Sequence, residues 1–239
     1  ATLANARRVN AQSRTALAAV PDMVQFHWWD YADESFSAAA AHLVALRSEG
    51  LVGDVAACNF DTPHLMTLVD AGVPMVANQV QYSLLDRRPE NGMVQYAKEK
   101  GIRLACFGTV AGGLLSDRFL GAPGLPQSGS GTTVSMRMYS SALKRWGDWG
   151  LFQELLRELR RVADRHGTTI ANVASAWVLY KLGEDGGWVI IGVRDTRHLE
   201  EHVALREVTL DEADVVAIDA VADKGQPPHG DIWSHERGR

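Results

Sequence analysis

The sequence predicts an α/β fold with a parallel sheet and helices packed outside it. Three observations lead there. Short apolar runs, Met23–His27, Val55–Phe60, Met75–Val80 and Ile102–Phe107, alternate with amphipathic stretches of helical length. The polar or aromatic run ends at His27, Asn59, Gln79 and Phe107 are separated by 32, 20 and 28 residues, the length of strand–helix–strand units. Continuous rather than alternating apolar runs suit strands buried on both faces.

The elements follow in order. Ala1 to Val20 reads as a helix with Leu3, Ala6, Arg7, Asn10, Arg14, Leu17 and Ala18 near one stripe; this arginine-bearing stretch has no acid and faintly resembles an organelle transit peptide. Pro21 separates it from the strand Met23–His27. Asp33 and Ser35 can cap a helix over Ser35–Arg47 that ends at Gly50. Asp61-Thr62-Pro63 is a helix start after the second strand, and Gly72-Val73-Pro74 ends that helix. Tyr82–Glu90 reads as a charged loop, Asn91–Lys100 as a helix closed by Gly101.

Gly108-Thr109-Val110-Ala111-Gly112-Gly113 follows the fourth strand, and such a turn can present bare backbone amides to a phosphate. Residues 116–150, rich in Gly, Ser, Pro and Met, read as one long loop. Beyond it, Leu155, Leu156, Leu159, Val162 and Ala163 recur at helical spacing, and Ile170–Leu182 is apolar nearly all round. Trp188–Gly192 is a fifth strand, Arg197–Leu205 and Glu212–Val221 are helices, and 225–239 is an irregular polar tail.

Composition narrows the function classes. In 239 residues with 46% hydrophobic and 22% charged residues, a sizeable core can form. A net charge of −5 with scattered basic residues argues against nucleic acid, and the doublets Arg87-Arg88 and Arg160-Arg161 read as solvated faces. No apolar stretch reaches the roughly 18 residues of a membrane span. Two cysteines, Cys58 and Cys106, sit inside strand-like runs. They give neither a disulfide framework nor a metal spacing, so a reducing compartment, cytoplasm or organelle stroma, is expected. A metal-dependent hydrolase would need His-x-His or clustered carboxylates at strand ends, where one His and amides stand instead.

Read together, these segments resemble the aldo-keto reductase family over Met23 to about Val221. The resemblance is carried by Gln25–Trp28, Cys58-Asn59-Phe60, Asn78–Ser83, Phe107–Gly113, and Ile190–Arg194 followed by His198–His202. The tail Gly230–Arg237 is similar to that of a bacterial and chloroplast-type branch. The resemblance implies an eight-stranded (β/α)8 TIM barrel with its site at the C-terminal ends of the strands. The five strands resemble the fourth to eighth, so a single domain spanning 1–239 and incomplete at its N-terminus is expected, as is a chain that begins partway through something longer.

The implied chemistry is NADPH-dependent reduction of an aldehyde or ketone by hydride transfer. His27 matches the His that orients the carbonyl oxygen, and Trp28 and Trp29 would line the substrate mouth. Cys58, Asn59 and Gln79 match the groups that hold the nicotinamide carboxamide. Phe107 stands where an aromatic ring stacks on the nicotinamide, and Gly108, Val110 and Gly112 would approach the pyrophosphate. Arg194, His198, Glu201 and His202 fall on the 2'-phosphate and adenine grip, which favours NADP(H) over NAD(H). The family's Asp, Tyr and Lys belong to strands before His27. Here no Tyr precedes Tyr31 and the first Lys is Lys98. Impaired or absent catalysis is therefore expected. The alternative is a non-catalytic cofactor-binding or assembly subunit of the same fold. Open sheet edges would favour an oligomer.

Overall fold

A computed structural model describes residues 2–125, 134–193 and 195–237. The chain divides into two compact units, one of Ala1–Val80, Pro89–Ala105 and Asp231–Arg239, the other of Gln81–Arg88 and Cys106–Gly230.

The strands are β1 (Met23–His27), β2 (Asp54–Cys58), β3 (Met75–Gln81), β4 (Arg103–Phe107) and β5 (Gly187–Val189), lying side by side in that order. β1 pairs parallel with β2, and β2 with β3. The polar strand ends therefore leave the sheet at one end. β2 is apolar and buried through Val55, Ala56 and Ala57. β1 and β5 differ from the expectation of strands buried on both faces. Gln25 and His27 are exposed, as are Trp188 and Ile190, because these strands stand at the two ends of the row.

The first unit also contains α1 (Leu3–Leu17), α2 (Phe36–Ser48), α3 (Thr62–Asp70) and α4 (Met93–Lys100). Asp61 caps α3, its carboxylate accepting from the His64 amide, with Pro63 in the first turn. Leu46, Phe60, Leu65, Leu68, Met93 and Leu104 form its fully buried centre. The turn before β2 runs against the segment before β1: Gly53 N donates to Pro21 O at 2.9 Å and Asp54 N to Asp22 O at 2.7 Å. A Cβ on Gly53 would fall 2.2 Å from the Asp22 carbonyl oxygen. Gly53→Ala is expected to cost roughly 2 kcal/mol, read as a lower urea midpoint with unchanged slope.

The second unit contains α5 (Val134–Trp146), α6 (Trp149–Arg165), α7 (Ile170–Leu182), α8 (Leu199–Ala204) and α9 (Glu212–Ala222). Leu155, Leu156, Leu159, Val162 and Ala163 are all buried on α6, as their spacing predicts. The expected loop over 116–150 is corrected by a 3-10 turn at Asp117–Phe119 and by α5, while residues 126–133 lie outside the described residues. Loop-like composition masked a helical stripe: Met136, Tyr139, Ala142, Leu143 and Trp146 recur every three or four residues and are buried.

Arg88 corrects the reading of Arg87-Arg88 as a solvated face. It is 2% exposed and forks onto Asp86, which is equally buried, through Nε at 2.9 Å and Nη2 at 2.6 Å. Neighbouring residues in a tight turn face different ways, so only the Asp two positions back reveals the burial.

α9 begins with a capping box between Asp211 and Asp214. Asp214 has no exposed surface and accepts from His166 Nε2 at 2.8 Å as well as from Arg165. Burial would raise its carboxyl, but the His166 and Asp211 hydrogen bonds and the Arg165 charge outweigh it and hold the pKa below the ordinary 3.8. Its contribution to stability is thus complete above that value and lost as pH falls through the depressed one. Asp214→Ala is expected to cost about 2–4 kcal/mol at pH 7 and to flatten the acid limb of a stability-versus-pH curve.

Candidate functional site

In the first unit, register brings three of the expected residues into one row. His27 pairs with Cys58, and Cys58 with Gln79. Partners across parallel strands share a face of the sheet, at about 4.8 Å per strand. The β2–β3 pairing shifts between Val55↔Met75 and Ala57↔Asn78, one extra residue on β3. That bulge aims Gln79 rather than Asn78 at Cys58.

Asn59 completes the group. It leaves β2 with a left-handed φ of 57°, and its amide donates to Gln79 O at 2.8 Å. Asn tolerates this region better than other residues with a Cβ. Behind it, Asn78 is fully buried and brackets Phe60, donating from Nδ2 to Phe60 O at 2.9 Å and accepting from Phe60 N at 3.4 Å. Asn59 itself is 5% exposed, and its Oδ1 is buried without a hydrogen-bond partner among the described residues. A desolvated amide oxygen left unpaired costs about 1–3 kcal/mol, so the position is built for a donor.

Around the row lie His27's ring, 6.4 Å from that of the exposed Trp29, and Trp28, whose indole N–H is shared between the Asp30 and Asp33 carbonyls at 2.9 and 3.0 Å. Partial burial and then the positive charge of Arg237 push His27 below its ordinary value. Burial raises the Cys58 thiol, against a smaller opposing pull from Arg237. The raised pKa disfavours the thiolate, and Cys58 fills the row between His27 and Gln79.

In the second unit, Phe107 ends β4 half-exposed, its carbonyl accepting from Tyr82 N at 3.1 Å. The amides of Gly108, Thr109 and Val110 donate to no group among the described residues. Successive free N–H groups form an anion-binding concavity. Gly108 has φ +73° and Gly112 φ +64°, and Tyr139 of α5 lies against both. A Cβ on Gly108 would fall 2.3 Å from the Tyr139 hydroxyl oxygen, and one on Gly112 2.7 Å from its ring.

Elsewhere in this unit His198 Nδ1 stands 3.2 Å from Glu201 Oε2, and the His198 and His202 rings are 6.3 Å apart. Among the described residues His202 Nδ1 has no hydrogen-bond partner, though buried, and Asn172 Nδ2 donates to Glu201 O at 2.8 Å. Arg194 lies outside the described residues. Among those described, no group of three or more His, Cys, Asp or Glu side chains could hold a metal ion, and no helix is long and apolar enough to cross a membrane.

Three residues escape sequence reading. Asn78 hides as the first of two adjacent amides, Tyr139 inside loop-like composition, and Arg237 in a tail without periodicity.

The aldo/keto reductase family model matches residues 6–223. Flagellar radial spoke protein 5 of Chlamydomonas reinhardtii is 29% identical over 179 residues, covering 65% of this chain and 33% of that protein. The NADH-specific methylglyoxal reductase of Escherichia coli is 25% identical over 214 residues, covering 84% and 59%. A glycerol dehydrogenase from Gluconobacter oxydans superposes with a TM-score of 0.78 at 19% identity, covering 96% of this chain and 67% of that one. The chain thus spans between about one third and two thirds of the length of these proteins. Its fold is that of the (β/α)8 barrel family, represented among the described residues by five strands. The chain belongs to the aldo/keto reductase family.

Proposed function

We propose that this oxidoreductase-family chain holds a nicotinamide dinucleotide, NADP(H) in preference to NAD(H), and presents it to a small aldehyde or ketone. The carrying observation is the buried, partnerless Oδ1 of Asn59 beside the His27–Cys58–Gln79 row. A carboxamide offers two N–H donors and one acceptor. Asn59 Oδ1 would accept from it, and Gln79 and Asn59 Nδ2 can supply the complementary groups. Phe107 offers a ring face for stacking. Within the second unit, the free amides at Gly108 and Val110, together with Gly112, suit a pyrophosphate, and His198, Glu201 and His202 are proposed for the adenosine end, with Arg194 proposed from sequence alone. Bound there, the dinucleotide supplies or accepts a hydride.

His27 would hold the carbonyl oxygen, with Trp28 and Trp29 bounding its approach. Proton delivery needs an acid within hydrogen-bond reach of that oxygen. The phenol of Tyr31 is pushed up chiefly by burial and then by Asp61, so it is a poor proton donor near neutral pH. Impaired turnover is proposed on that ground, and NADPH-dependent loss of 4-nitrobenzaldehyde is expected at background rate. A reducing compartment and pairing through the sheet edges belong to the same reading.

The second reading, a cofactor-binding assembly subunit, draws support from the relative named as a radial spoke protein. Titrating NADPH while following tryptophan fluorescence tests both. Saturable quenching, enhanced by 4-nitrobenzaldehyde, supports the carbonyl-binding reading. Quenching indifferent to the aldehyde favours the second, and absence of saturable quenching removes both. A preference for NADH would overturn the NADP(H) assignment alone.

A further inference from the structure

The last described residues, Asp231–Arg237, belong to the first unit and are fastened to it at both ends. Asp231 Oδ2 accepts from Thr62 N at 2.9 Å at the first turn of α3, and Ile232 beside it is 2% exposed. At the other end Arg237 Nε donates to Trp29 O at 3.0 Å and Nη2 to Trp28 O at 2.8 Å. These are the carbonyls of the two residues that follow His27. The guanidinium carbon lies 4.1 Å from the Tyr31 ring centre, while the His64 ring stacks on Tyr31 at 3.6 Å and 9°. Two groups so close to one ring centre must occupy opposite faces, so Tyr31 is a rigid plate between them.

Among the described residues, no hydrogen bond joins this guanidinium to a carboxylate. Asp231 bonds to the Thr62 and Ile232 amides, Asp61 to the His64 amide and ring, and Asp30 to the Ala32 amide. Arg237 Nη1 is buried with no hydrogen-bond partner among the described residues. A planar fork stacked on an aromatic face suits Arg and not Lys. A partly buried cation acts further through protein than one in water.

We propose that Arg237 is a positioning residue for His27, fixing the backbone that leaves β1 through the Trp28 and Trp29 carbonyls and imposing its positive charge on the strand-end row. Its lowering of both His27 and Cys58 agrees with this. Beside His27 stand Cys58, its register partner on β2, and Arg237 on the tail that holds the backbone after it. Of these, Arg237 is the one whose charge lowers the imidazole. A neutral ring keeps one N–H to donate to a carbonyl oxygen and adds no second cation where an oxidised nicotinamide would lie. That consequence rests on the proposed role of His27, but the coupling itself is measurable without cofactor.

The experiment follows the His27 ring protons by NMR from pH 4.5 to 8.5 in the full chain, His27→Gln identifying the signal. In Arg237→Gln the midpoint is expected to rise. In Arg237→Lys, which keeps charge but loses the fork, it is expected to stay near wild type while the Trp28–Tyr31 amides exchange faster in both variants. Equal midpoints in the Gln and Lys variants, or an unmoved midpoint in Arg237→Gln, would overturn the proposal. Should Arg237→Gln fail to fold, the wild-type Arg237 Nε–H signal decides: it is expected to shift with the His27 midpoint, and indifference to that midpoint would sink the coupling. Failure of NADPH to bind would remove the cofactor reading and leave this result standing.

Discussion

Asp86→Ala is expected to destabilise the protein by about 3–5 kcal/mol, the largest effect of any single substitution considered. Asp86 and Arg88 are each 2% exposed. The carboxylate also accepts from Gln81 Nε2 at 2.8 Å, and its backbone closes a bridge with Ser83. Removing it takes the bidentate carboxylate away from a guanidinium that is itself 2% exposed. Typical domains have about 5–15 kcal/mol of total stability, so the loss takes a large part of it. Asp86→Asn keeps an acceptor and should lose less. The double substitution Asp86→Leu with Arg88→Met, which removes both charges, should recover most of the deficit, because a buried pair gains little over well-packed apolar groups. Urea unfolding followed by circular dichroism measures all three. A single Ala variant as stable as wild type would show that Arg88 finds another partner or reaches solvent.

Asn59→Ala is expected to weaken NADPH binding by about 10- to 100-fold, with little loss of stability. The reasoning starts from the unfilled acceptor. Free protein leaves Asn59 Oδ1 buried and unpaired, so deleting it relieves a cost in the absence of ligand and removes a buried hydrogen bond in its presence. A buried bond of this kind is worth about 1.4–2.8 kcal/mol, which is that fold-change. Asn59→Asp keeps the acceptor but forces a charge into the same position, and should bind worse still. Gln79→Ala, whose side chain is only half-buried, should cost less. Isothermal titration separates these variants. An Asn59→Ala protein that binds NADPH as well as wild type would place the nicotinamide away from the strand-end row.

Much of the fold is legible because burial and periodicity speak through consecutive residues. β2 and α6 follow from their own apolar patterns, and α3 from Asp61 and Pro63. Asn59 and Gln79 stand out as polar groups ending apolar strands. What sequence hides is geometry set by distant partners. The bulge that brings Gln79 level with Cys58 depends on how β2 and β3 pair, and neither strand announces it. β1 reads as a central strand because its composition is apolar, while its exposure depends on its place at the end of the row. α5 is disguised by Ser and Met, although its buried stripe includes the Tyr139 that fills the space over Gly108 and Gly112. Arg237 lies some 200 residues from the tryptophans it holds, and only the folded chain joins them.

Saturation-transfer NMR with NADP+ probes the strand-end row most directly, since it reports which protons of the dinucleotide touch protein. We predict strong transfer to the nicotinamide ring protons in wild type and its selective loss in Asn59→Ala, with the adenine signals retained. Transfer confined to adenine in the wild-type protein, or nicotinamide signals unchanged by Asn59→Ala, would contradict it.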